Sequence, residues 1–105
     1  KDTGTATSNA TTQKSIITFA KATYRSAKYV IQITNSTDST YHVTELLLTH
    51  DGSTANITEY GTVYTGAAAE AAFSADISGS NVRLRVTPAS GDTMAYKVIL
   101  QTIAV

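Results

Sequence analysis

Residues 45–61 read ELLLTHDGSTANITEYG, two apolar-patterned runs separated by Asp51 and Gly52. An Asp-Gly pair between such runs signals a hairpin, because a type I′ turn needs positive φ at both central positions and few residue pairs tolerate it. Taking Asp51-Gly52 as a two-residue loop fixes the pairing. Leu48 falls opposite Ala55, Leu46 opposite Ile57 and Thr44 opposite Glu59 on one face; Leu47 falls opposite Asn56, Glu45 opposite Thr58 and Val43 opposite Tyr60 on the other. Leu46, Leu48, Ala55 and Ile57 then make one apolar face, which a slip of one residue would destroy. On this reading His50 caps the hairpin beside Ser53 and Asp51 supplies turn chemistry, since one imidazole and one carboxylate are too few for a closed metal or catalytic site.

Outward from the hairpin the same two-residue period recurs. In AKYVIQITN, Tyr29, Ile31 and Ile33 alternate with Lys28, Gln32 and Thr34, and the following NSTDST is a turn. AAFSADIS turns Ala71, Phe73, Ala75 and Ile77 inward, and NVRLRV turns Val82, Leu84 and Val86 inward with Arg83 and Arg85 opposite. YKVILQTIAV sets Val98 and Leu100 against Ile99, Ile103 and Val105, so it should be covered on both sides. With QKSIITFA the total is about eight strands, the pattern of an all-β, antiparallel β-sandwich of jelly-roll-like kind. GAAAEAAF, residues 66–73, resists the strand reading and is expected to be a loop with one helical turn. The low-complexity opening KDTGTATSNATTQ divides the chain into an arm or linker over residues 1–12 and a sandwich domain over residues 13–105.

The hairpin register leaves a remainder. Val43, Leu47 and Tyr60 share the face turned away from the core, among Glu45, Thr49, Asn56 and Thr58. Apolar clusters rimmed by polar groups mark contact surfaces, so these three residues form a candidate interface, covered by another copy of the chain or by the loop over residues 66–72.

Composition narrows the chemistry. Eight basic and eight acidic side chains cancel, and charged residues are only 15% of the 105, which gives no footprint for nucleic acid. No Cys is present, so thiolate chemistry and disulfides are excluded. No apolar run approaches the roughly 20 residues of a membrane-spanning helix, so membrane insertion is not expected either. His42 is eight residues from His50 with no chelating spacing and reads as a solvated strand histidine. Glu45, Glu59 and Asp76 are the carboxylates from which an acid/base pair could be drawn, and nothing in the sequence brings two of them around a cleft. Arg83 and Arg85 are expected to pair with Glu45 or Glu59 across a sheet. There is no nucleophile elbow, phosphate loop or dinucleotide motif, so catalytic, cofactor-binding and metal residues are all expected to be none. The sequons at Asn9, Asn35 and Asn56 arise readily in a chain with nineteen Thr and ten Ser.

From about Ala20 to Val105, VTELLLTHDG followed by ITEYG, and then ADISGSNVRLRVTPAS, resemble a module of virion structural proteins of tailed marine bacteriophages, especially cyanophages. The resemblance implies a β-sandwich terminal domain of a fibre, neck or capsid-surface component located in the virion. It implies assembly with copies of itself and other virion proteins, not catalysis, and supplies no active-site residues. The alternative is a carbohydrate-binding or adhesin-tip module holding a host-surface glycan on tyrosines such as Tyr60 and Tyr64.

Overall fold

The computed structural model describes residues 2–105; among these the chain is eight strands and no helix. They are β1 (Asp2–Ser8), β2 (Lys14–Ala20), β3 (Tyr24–Asn35), β4 (Thr40–His50), β5 (Ala55–Tyr64), β6 (Ala71–Ser78), β7 (Asn81–Pro88) and β8 (Met94–Ala104). A five-stranded sheet runs β1-β8-β3-β4-β5 and a three-stranded sheet β2-β7-β6, with every pairing antiparallel. The pairs β1·β8 and β2·β7 lie in different sheets, and β3-β4-β5 is a plain meander.

The alternation read from sequence decides which side chains meet between the sheets. The large sheet contributes Tyr29, Ile31, Ile33, Leu46, Leu48, Tyr96, Val98 and Leu100, and the small sheet Phe19, Val82, Leu84 and Val86, all buried. Phe73, Ala75 and Ile77 of β6 pack against this core. Because β3, β4 and β8 are half-buried strands, each inward residue sits between two outward ones, and the outward set of the large sheet has no covering layer within the chain.

Several expectations are corrected. Asp2–Ser8, expected to belong to an arm, is paired residue for residue with β8, from Asp2 opposite Leu100 to Ser8 opposite Met94; Lys1 lies outside the described residues. Thr favours extended backbone, and the edge of β8 needs a partner, so a stretch with almost no apolar pattern becomes a strand. The hairpin register differs by two residues from that expected: His50 pairs with Ala55, Leu48 with Ile57 and Glu45 with Tyr60, leaving a four-residue loop over Asp51, Gly52, Ser53 and Thr54. A shift of two preserves side-chain parity, so Leu46 and Leu48 still share their face with Ala55 and Ile57. Gly66 to Glu70 is irregular chain with no helical turn. Arg83 pairs with neither Glu45 nor Glu59: it sits directly opposite Asp76 on β6 and grips it through two hydrogen bonds of 2.7 and 2.6 Å, with Arg85 3.6 Å from the same carboxylate.

Candidate functional site

The outer face of the five-stranded sheet is built from cross-strand rows. One row runs Thr3, Ile99, Val30, Glu45, Tyr60; the next runs Thr5, Lys97, Gln32, Val43, Val63. On the other side of the first come Gln101, Lys28, Leu47, Thr58. The three residues expected at an interface all lie here, with Val43 40%, Leu47 48% and Tyr60 38% exposed. Tyr60 faces Glu45, however, because of the hairpin register, and Val43 faces Val63 because β5 carries a bulge at Gly61 and Thr62. Gly61 has φ +66, the left-handed conformation that the first residue of a Gly-type bulge requires.

The bulge changes what the face contains. Without it Val63 would point inward; with it Val63 joins Tyr60 and Val43 outside, 63% exposed. From β8 come Ile99 and Ile103, exposed as well. Sequence periodicity puts both on the second side of β8, expected to be covered, and among the described residues that side is open. At the middle of the face Lys28 Nζ lies 3.1 Å from Glu45 Oε1, and the carboxylate holds the ammonium above its ordinary range. The pair is half-exposed and cancels its own charge, so the centre of the face is close to neutral. Beside it the twist of the sheet leaves an open concavity of about 650 Å³, walled by Lys28, Leu47, Thr49, Asn56, Thr58 and Ile103.

The three carboxylates considered from sequence are separated and occupied: Glu45 by Lys28, Glu59 by the hydroxyls of Thr44 and Thr62 at 2.8 and 3.2 Å, and Asp76 by Arg83, which holds it below the usual carboxylate range. No group of three His, Asp or Glu among the described residues could hold a metal ion. His50 is buried: its Nδ1 accepts the Gly52 amide at 3.0 Å and its Nε2 lies 2.7 Å from the Tyr24 carbonyl, so it anchors the hairpin loop. His42 is not solvated as expected. It sits on the inward parity of β4 with Thr44, Leu46 and Leu48, 2% exposed, where burial lowers its pKa. Tyr60 and Tyr64 do not form one platform, since Tyr64 pairs with His42 on the inner side with its ring 5.7 Å from the imidazole.

The sequence matches no protein-family model and no curated protein. In fold, 98% of the chain aligns with the tailspike protein of Acinetobacter phage vB_ApiP_P1 at TM-score 0.66 and 21% identity, covering 22% of that protein. The tailspike protein of Acinetobacter baumannii phage AM24 aligns over 99% of the chain at TM-score 0.54 and 8% identity, covering 26% of that protein. The chain thus spans about a quarter or less of the tailspikes whose fold it shares in part.

Proposed function

We propose that this chain is a non-enzymatic structural module of a bacteriophage tail appendage, a tailspike or fibre of the virion, that works by packing the outer face of its large sheet against another copy of itself. The observation that carries the reading is that face: Val43, Leu47, Tyr60, Val63, Ile99 and Ile103 are exposed on it among polar residues, and its Lys28–Glu45 ion pair neutralises itself. Exposed apolar residues gathered on one sheet face among polar groups mark a protein contact. The partial likeness to two tailspikes supports the setting, and the neck, capsid and marine-phage alternatives of the sequence resemblance find no such support. Other virion proteins are further candidate partners on the same face.

The glycan-binding alternative is weaker on geometry. Tyr60 and Tyr64 point to opposite sides of the sheet, so they cannot stack on successive sugars of one bound chain.

Leu47→Glu tests the reading. Leu47 is 48% exposed in the single chain, so the substitution should leave the fold intact by circular dichroism. Buried in an interface without a partner, the new carboxylate should cost several kcal/mol of association, on the order of 3–5. The variant should therefore sediment as monomer where the wild type does not. A wild-type chain that stays monomeric at high concentration would overturn the proposal.

A further inference from the structure

At the end of the sandwich away from the hairpin loop, one residue is tied to both sheets. Glu70 is buried, although Ala67, Ala68 and Ala69 before it are exposed. Its carboxylate accepts hydrogen bonds from Asn35 Nδ2 at 3.0 Å and Thr40 Oγ1 at 2.6 Å, and its carbonyl accepts the Ala89 amide at 2.9 Å. Its own amide donates to His42 Nδ1 at 3.1 Å. Asn35 belongs to β3, Thr40 and His42 to β4, and Ala89 follows β7, so the connection from β5 to β6 is pinned across the seam between the sheets at this one point.

The protonation state of His42 is written in that geometry. An Nδ1 that accepts a hydrogen bond carries no proton, so the ring's single proton is on Nε2, which is buried without a partner. A second proton can go only to Nδ1, where it would meet the Glu70 N–H donor to donor. We propose that His42 and Glu70 form an acid-released clasp: uptake of a solvent proton at His42 Nδ1 removes the acceptor from the Glu70 amide and frees residues 66–70 from the end of the sandwich.

The groups facing His42 decide how readily it charges. Glu59 and Tyr64 face it from β5 and Glu70 from the connection, while its neighbour on β3 is Ile33 and the nearest titratable group on β8, Tyr96, is engaged by Ser8. Asp92 accepts a hydrogen bond from Asn35, and Asp38, whose amide donates to Asn35, lies beside Asp92 and feels the charge of Glu70. Glu59 and Glu70 both favour the imidazolium, but burial outweighs them and sets the folded pKa below its ordinary 6.5. The unfolded or opened chain therefore takes up the proton first as pH falls. The clasp's contribution is fully present above about pH 6.5 and lost as pH drops through the folded value.

Amide exchange followed by NMR, corrected for the intrinsic pH dependence of exchange, tests the clasp in the wild type and in His42→Asn, whose side-chain oxygen can accept the Glu70 amide but takes up no proton. Between about pH 7.5 and about pH 5.5 the wild-type Glu70 and Ala71 amides should lose protection by roughly tenfold while β3 and β8 keep theirs, and the variant should level the difference. Unchanged wild-type protection, or a variant that keeps the loss, would overturn the proposal. If the variant does not fold, the wild-type imidazole resonances decide: a His42 midpoint below about 6.5 supports the clasp, and one at or above it overturns it.

Discussion

Asp51 holds the hairpin loop through its side chain. Its Oδ1 accepts the amides of Ser53 and Thr54 at 2.9 and 2.8 Å and the Thr54 hydroxyl at 3.2 Å, bonds that keep the carboxyl below the usual carboxylate range. Only Gly52 in this loop has positive φ, +93, so the turn is not the type I′ expected. Nothing lies within 4 Å of a Cβ built at Gly52, and the constraint there is conformational. Gly52→Val should accordingly destabilise the domain by about 1–2 kcal/mol, read as a lower denaturant midpoint at unchanged slope. Asp51→Asn, which keeps the accepting oxygen, should lose less than Asp51→Ala. Because the folded carboxyl is depressed, the charged acceptor's advantage exists above the ordinary range and disappears as pH falls through the folded value, so the aspartate and asparagine proteins should converge in strong acid. The motif was legible as a turn because Asp-Gly rarely means anything else. His42 was misplaced although its signal was available: the parity that sends Leu46 and Leu48 inward sends His42 and His50 with them.

At the scale of elements, β1 is the clearest departure from the sequence reading. It contributes little to the core beyond Ala6, yet it covers the edge of β8 from Met94 to Leu100 and its Ser8 Oγ lies 2.7 Å from the Tyr96 hydroxyl. Removing residues 1–8 should lower Tm by about 5 °C or more, since even 1 kcal/mol is worth that in a domain of this size. An unchanged melting curve would mean that the strand is an ornament to an independent seven-stranded fold. The two edges of the five-stranded sheet are also defended. On β1 the Thr3 amide is taken by the Asp2 carboxylate at 2.8 Å and the Thr7 carbonyl by Lys14 Nζ, and on β5 the bulge at Gly61 breaks the ladder. Edges blunted in this way discourage strand addition to the large sheet.

For the molecule as a whole, a five-stranded sheet packed against a three-stranded one buries a single layer and, among the described residues, leaves the broad outer face of the larger sheet uncovered. If that face meets another copy, association adds to folding stability, and Tm should rise by several degrees over a roughly hundredfold increase in protein concentration. A concentration-independent Tm would set the face back to solvent. By itself the sequence determined the fold class and the composition of the core, because inward and outward residues alternate with period two and burying one set is worth about 25 cal/mol per Å². It also determined the turn at Asp51-Gly52, because only a few residues tolerate that backbone. Only the tertiary structure decided the register within the hairpin, since a slip of two residues leaves every side chain on its own face and the choice falls to hydrogen bonds from Asp51 and His50. Only the structure, likewise, made a strand of Asp2–Ser8, set Arg83 on Asp76 and gathered Asn35, Thr40, His42 and Ala89 on Glu70. Except for Asp76, seven residues from Arg83 across the β6–β7 hairpin, those partners come from segments distant in sequence, and a backbone group or charge takes whichever complementary partner the packed sheets bring within reach.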